Sequence, residues 1–322
     1  LVNSDNTVRS GIDSLDRDAF TRTTRMKSNA ATPSGTPPAE VTVSVELVAQ
    51  LLAAQHPDLA SLPIDPVGCG WDNAMFRLGH DLAVRLPRRV AAAPLIRHEQ
   101  KWLPHLAPRL PLPVPLPRRT GVPTPGYPWH WSVVPWLTGA AADHSPPDAA
   151  QARPLGEFLR ALHSTAPDNA PRNPVRGVPL VTRVAAIEPR LQRLSQTTRL
   201  ITPEVWQAWQ AALHAPLDAA PTWIHGDLHP RNILIDQGAI TGIIDWGDVA
   251  CGDPATDLAA IWMLFTDPSV RESALAAYGS VSDATICRTL GWVIIYGAVL
   301  LDTGLVDSPR NAALGRMILQ SL

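Results

Sequence analysis

The stretch 222–259, TWIHGDLHPRNILIDQGAITGIIDWGDVACGDPATDLA, concentrates the residues that can do chemistry. Asp227 and Asp245 supply carboxylates, and Asn232 adds an amide oxygen. Hard oxygen donors of this kind suit Mg²⁺, which is held by one or two carboxylates together with substrate phosphates. Two apolar runs, 233–235 and 240–244, flank Gln237-Gly238, a signal for a β-hairpin. In an antiparallel hairpin the entry of the first strand lies beside the exit of the second. Asn232 and Asp245 are therefore expected to be neighbours, with Asp227 in the loop that feeds the hairpin. Taken singly, each residue has a plainer reading. Asp227 could cap a turn, His225 and His229 could bond backbone groups, Trp246 could pack beside the loop, and Asp253 before Pro254 could start a helix. The functional reading rests on their joint spacing.

That spacing, His225-Gly226-Asp227 with Asn232, then Ile244-Asp245-Trp246-Gly247 and Gly252-Asp253-Pro254 with Asp257, resembles the aminoglycoside phosphotransferase family. The family is a small-molecule branch of the protein-kinase-like fold, whose loops follow H-R-D-x-x-x-x-N and D-F-G. The resemblance implies an α+β, bilobal fold with a small N-lobe built on an antiparallel sheet and a larger, mainly helical C-lobe. It implies Asp227 as catalytic base, Asn232 and Asp245 as Mg²⁺ ligands, and ATP or GTP as co-substrate. It also implies a later acid that caps a helix and braces the catalytic loop.

Upstream, residues 43–56 carry apolar side chains at helical spacing. Runs 74–78 and 82–86 read as strands joined by Gly79-His80-Asp81, and residues 67–73 read as a Gly-rich turn. By the resemblance, Gly68 and Gly70 belong to the loop over the nucleotide phosphates, although Gly68-x-Gly70 is only part of G-x-G-x-x-G. The strand pattern V-A-I-K aligns with Leu82-Ala83-Val84-Arg85, so an arginine stands where lysine is usual. Arg85 keeps the charge and can fork onto phosphate oxygens. Glu99, in a helix expected over 94–106, is the candidate acid to pair with it. Residues 111–117 read as an extended edge, 129–134 as a strand, and 135–139 as the linker against which an adenine would lie.

The chain of 322 residues divides on this reading into an N-terminal extension, 1–40, an N-lobe, 41–135, that binds nucleotide, and a C-lobe, 136–322, that is catalytic and binds the acceptor. The extension is polar, without helical or strand periodicity, and is expected to be disordered or weakly docked. The chain opens on Leu1, and Met26 is a candidate natural start. A net charge of −2 gives no reason to expect nucleic acid or a membrane surface as partner. No apolar run approaches a transmembrane span, and residues 292–301 read as a buried helix. Cys69, Cys251 and Cys287 form no C-x-x-C pair, which suits a reducing cytoplasm.

Helices are expected over 148–164, 181–194, 203–212, 256–265, 269–278, 282–301 and 311–319, with His163 near helix-end carbonyls. In the family the later helices wall the acceptor pocket. Asp267, Glu272, Asp283, Asp302 and Asp307 could meet a cationic acceptor or be solvated helix ends; Trp262, Trp292 and Tyr296 could meet a greasy one or be core. The expected function is transfer of a γ-phosphoryl group from a nucleoside triphosphate to a hydroxyl of a small molecule. An aminoglycoside-type antibiotic, and with it antibiotic resistance, is the leading acceptor reading. Related kinases act on macrolides, choline, homoserine or fructosamine. Two rivals stay open: a metal-dependent hydrolase using His225-x-Asp227-x-His229, and a non-catalytic nucleotide-binding module.

Overall fold

Successive side chains of the early strands point to opposite faces, which builds a sheet with one face on a core and the other on a cleft. In this computed structural model the described residues are 38–322; the expectations for the first 37 residues, Met26 included, lie outside them. Helix α1 (Val45–Gln55) is capped by Ser44, whose hydroxyl accepts from the Leu47 amide. It packs Val48, Leu51 and Leu52 against the sheet. The sheet comprises β1 (Ile64–Cys69), β2 (Asn73–Leu78), β3 (Leu82–Pro87), β4 (Arg119–Gly121) and β5 (Trp131–Pro135), in the order β1-β2-β3-β5-β4, all pairs antiparallel. Phe76, Leu78, Val84 and Leu86 enter the core on the α1 side. Met75, Ala83, Arg85 and Val134 line the cleft on the other.

The sequence reading differs at two places here: the edge strand beside β5 is β4, whereas 111–117, expected as an extended edge, lies in no strand. Residues 67–69 belong to β1, and Gly68 sits at a bulge with φ +152°, so the turn is confined to 70–72. Helix α2 (Ala93–Leu106) follows β3 and buries Ile96, Glu99, Trp102, Leu103 and Leu106. Glu40, at the end of the predicted extension, is tied down: its amide donates to the Arg88 carbonyl and its carboxylate accepts from the Val90 amide.

The rest is mainly helical, with two small sheets. Strand β6 (Ala140–Ala141) precedes α3 (Ala152–Leu162), α4 (Val184–Thr197) and α5 (Pro203–His214). Strand β7 (Thr222–Ile224) pairs with β10 (Ala250–Gly252), and β8 (Ile233–Asp236) forms a hairpin with β9 (Ala239–Ile243), joined to β6 on its other edge. The hairpin turn places Gln237 and Gly238 at φ 47° and 78°, the left-handed pair of a two-residue type I′ turn. Helices α6 (Ala255–Leu264), α7 (Pro268–Tyr278), α8 (Asp283–Asp307) and α9 (Pro309–Gln320) complete the chain.

Helix α8 runs six residues past its expected end and, at 25 residues with mean hydropathy 1.7, is long and apolar enough to cross a membrane. This corrects the reading that no run approaches that length. Two-thirds of its most apolar window is buried inside the protein, so its hydropathy is accounted for by the core. Gly315 lets α9 approach it closely: a Cβ there would lie 2.3 Å from the Leu301 amide nitrogen.

Candidate active site

The hairpin brings its ends together as expected. The Ile244 amide donates to the Asn232 carbonyl at 2.9 Å, beside Asp245. Asn232 Nδ2 donates to the Asp227 carbonyl at 2.8 Å and to its carboxylate Oδ2 at 3.3 Å. The Asn232 amide is thus oriented by Asp227 through its nitrogen. Asp245 adopts the left-handed conformation, φ 64° and ψ 66°, unusual for a residue with a side chain. Its carboxylate Oδ1 accepts from Arg85 Nη2 at 2.8 Å.

Arg85 and Glu99 meet as predicted, Nη1 to Oε2 at 2.5 Å, with Glu99 fully buried. Burial alone would lower the Arg85 pKa, but Glu99 and then Asp245 raise it well above the ordinary arginine value. Burial keeps the Glu99 carboxyl above its usual range, against the opposing pull of Arg85. Arg85 therefore spans from α2 to the loop after β9, with its charge held between two carboxylates.

Two braces hold the loop between β7 and β8. Buried Asp257, near the start of α6, accepts from the amides of His225 at 2.5 Å and Gly226 at 2.9 Å. His225 Nε2–H donates to the Ile244 carbonyl at 3.0 Å, and its Nδ1 accepts from the Asp227 amide at 3.2 Å. Both ring nitrogens are engaged by backbone, so His225 is not available to a metal cluster with Asp227 and His229. The helix cap and the loop brace fall on different acids: Asp253 accepts from the Ala255 amide and pairs with Arg288, while Asp257 holds the loop. His163 ends α3 with its amide donating to the Leu159 carbonyl, and its ring meets the Tyr278 hydroxyl and Asp257, at 3.0 and 3.4 Å. Trp246 is buried; its Nε1–H donates to the Ile243 carbonyl and its ring packs against His225 and Phe158.

Several residues of the site escaped the sequence reading, Arg176, Asn173 and Asp248 among them. Arg176, in the proline-rich connection, donates from Nη2 to Asp227 Oδ1 at 2.6 Å, and its guanidinium lies 4.9 Å from the centre of the Tyr296 ring. Asn173 Nδ2 donates to Asp248 Oδ1 at 2.6 Å. Burial would raise the Asp227 pKa, but Arg176, then His229, hold it well below the ordinary aspartate value. Burial, then the Asp227 charge, push the Asp248 carboxyl up to about 7. A run such as Arg172-Asn173-Pro174-Val175-Arg176-Gly177 reads as a polar loop, and nothing local signals that it folds over an aspartate 51 residues away.

These groups face one cavity of about 460 Å³. Its walls include Met75, Ala83, Val134 and residues 135–137, then Arg85, Asp227, Asn232, Asp245 and Asp248, and finally Arg176, Arg231, Tyr296, Val299, Leu300 and Asn311. Gly70 lines it and Gly68 does not. Tyr296 is on the wall, whereas Trp292 is fully buried in the core and Trp262 packs under Arg271. Asp302 is buried against Arg190 and Arg193, Asp267 caps α7, and Asp283 lies in the first turn of α8; none of the five acids considered for an acceptor lines the cavity.

The donor set suits Mg²⁺ on these contacts. Asn232 spends its nitrogen on Asp227, leaving its oxygen, and Asp245 is half-exposed with only Oδ1 on Arg85. Two hard oxygens beside a cavity fit an ion whose shell is completed by phosphate and water.

A family model described as "Phosphotransferase enzyme family" matches residues 63–290. An aminoglycoside 3′-phosphotransferase from Escherichia coli is 37% identical over 78 residues, covering 24% of this chain and 28% of that protein. A homoserine kinase from Pseudomonas aeruginosa is 30% identical over 156 residues, covering 45% and 48%. The chain thus spans less than half the length of these curated relatives. A point mutant of aminoglycoside 2′-phosphotransferase-IIIa, solved as its GDP complex, superposes with a TM-score of 0.61 at 20% identity, covering 85% of this chain and 95% of that one. That likeness shows the bilobal, protein-kinase-like α+β fold.

Proposed function

Because the chain belongs to the phosphotransferase enzyme family, we propose that it transfers the γ-phosphoryl group of ATP or GTP to a hydroxyl of a small molecule. The observation that carries this reading is the convergence of Asp227, Asn232, Asp245 and the Arg85–Glu99 pair on one cavity. The names of the relatives put aminoglycosides and homoserine among the acceptors used by similar proteins.

In this reading residues 41–135 bind the nucleotide and 136–322 supply catalysis and the acceptor wall. The base lies against residues 135–139, with Gly70 in the covering turn. Arg85, positioned by Glu99, faces the phosphates once nucleotide draws it from Asp245. Asn232 and Asp245 are the residues that would hold Mg²⁺, whose charge neutralises phosphate oxygens when it is bound. Asp227 accepts the acceptor hydroxyl proton or orients that hydroxyl in line with phosphorus. Asp227 is kept ionised by Arg176 and aligned by Asn232, so it enters the reaction as a fixed acceptor. Positioning and charge stabilisation carry most of such a transfer. A nucleoside triphosphate donor suits a cytoplasmic location.

The test is Mg²⁺-dependent ADP or GDP release across aminoglycosides, macrolides and hydroxylated metabolites. Acceptor-stimulated release that disappears in Asp227→Asn is the expected result. Tight nucleotide binding with no release for any acceptor would favour the non-catalytic alternative.

A further inference from the structure

The acceptor end of the cavity has a charge pattern that bears on what it can hold. Its wall is Arg176, Arg231, Tyr296, Val299, Leu300 and Asn311. Every carboxylate on the cavity wall already has a partner. Asp72 is held by Arg89, Asp227 by Arg176, Asp245 by Arg85 and Asp248 by Asn173. Helices α8 and α9 bring hydrocarbon, a phenol ring and an amide to the cavity, and no acid. Among the described residues, a polycation placed there would meet the Arg231 guanidinium and only carboxylates that already have a partner, and like charges brought together in an interface cost several kcal/mol (order of magnitude).

Arg231 is the group that a ligand could satisfy. It sits beside Asn232, half-buried, and its Nη1 donates to Asn311 Oδ1, a neutral amide. The nearest acid of that corner, Asp143, is occupied on both oxygens by Arg310, at 2.7 Å each. A half-buried guanidinium whose hydrogen bond goes to a neutral amide favours an incoming anion, and its planar fork matches a carboxylate. The surrounding Val299 and Leu300 favour a short hydrocarbon chain over a sugar amine.

Resting on the phosphotransferase reading of this cavity, we propose that the acceptor is a small hydroxylated carboxylate. Arg231, steadied by Asn311, binds its carboxylate, and Tyr296, Val299 and Leu300 bind its hydrocarbon, leaving the hydroxyl at Asp227.

The experiment measures Mg²⁺-dependent nucleoside diphosphate release, with product mass, for matched probes. These are hydroxy acids of three to eight carbons, their primary amides, amino alcohols of the same lengths, the phosphate monoesters of the corresponding diols, and the aminoglycoside kanamycin. Hydroxy acids are expected to exceed their amides in kcat/KM by roughly 10- to 100-fold, the worth of a charge-assisted hydrogen bond. Arg231→Glu should erase that ratio, chiefly through KM, and Asn311→Leu should reduce it. Nucleotide binding by each variant reports whether it is folded. Preference for the phosphate monoesters, for amino alcohols or for kanamycin overturns the proposal. So does an acid-to-amide ratio that Arg231→Glu leaves unchanged. No turnover of any hydroxy acid, with Mg²⁺-nucleotide still bound, overturns the proposal and leaves the phosphotransferase reading standing. Loss of nucleotide binding in the wild-type protein overturns both.

Discussion

Asp227 is surrounded by groups that fix its charge and its direction, and this makes its behaviour testable one residue at a time. Asp227→Asn removes the carboxylate but keeps the shape, so activity should fall by about 10²- to 10⁴-fold while nucleotide affinity stays largely intact, read by single-turnover kinetics and nucleotide titration. Arg176 holds the Asp227 pKa down, so Arg176→Met should let it rise. The acidic limb of the kcat/KM profile, where Asp227 takes up a proton, should then move to higher pH. A profile that merely scales down would point to a structural role. His225 gives a stability counterpart. Burial, its leading influence, keeps its pKa below the ordinary histidine value, against the opposing charges of Asp257 and Asp227. Its Nδ1 must stay unprotonated to accept the Asp227 amide. As pH falls the unfolded chain takes up the proton first, so this contribution is present above about pH 6.5 and is lost below it. The thermal midpoint should therefore drop more steeply below that pH in the wild type than in His225→Gln.

At the scale of elements, the site depends on segments that backbone hydrogen bonds fasten together. The connection carrying Arg176 is fastened by the Cys251 amide to the Pro171 carbonyl and the Asp253 amide to the Gly177 carbonyl, at 2.8 and 2.9 Å. Gly177 has φ +64°, and a Cβ there would lie 2.5 Å from Ile224 Cδ1 and 2.9 Å from Gly252 Cα. Gly177→Ala should destabilise the protein by about 1–3 kcal/mol and displace Arg176. Its pH profile should then shift in the same direction as that of Arg176→Met. The β8–β9 hairpin and the strands β2 and β3 were legible because alternation and turn residues act over a few positions. The pairing of β7 with β10 was not, since each is three residues long and gains its order from α6 and the connection lying across it.

Across the whole molecule, Arg85 links the sheet and α2 to the loop after β9, and nucleotide would sit where that link is made. A ligand that binds only the folded protein stabilises it by RT ln(1 + [L]/Kd), about 2.7 kcal/mol at a hundredfold excess over Kd. Mg²⁺ with nucleotide should raise the melting temperature of the wild type, and chelation of Mg²⁺ should remove most of that rise. In Asp245→Ala the Mg²⁺-dependent part of the shift should vanish along with turnover. A wild-type shift in that variant would refute its assignment as a metal ligand.

The sequence by itself determined the fold class through its resemblance to a known family, and it brought the central candidates together because HGDxxxxN, the hairpin and IDWG are contiguous and their proximity follows from short-range backbone rules. It also identified Arg85 and Glu99 as partners, through strand and helix positions that a known pattern aligns. Tertiary structure alone decided the rest. Arg176 and Asn173 reach the site from a loop whose composition carries no signal of its destination. The acids of α7, α8 and the α7 cap do not line the cavity, a matter that a linear reading left open. The charge of the acceptor end depends on which arginine each carboxylate finds, and such pairing is fixed by packing over 50 to 160 residues of separation, beyond the reach of any local pattern.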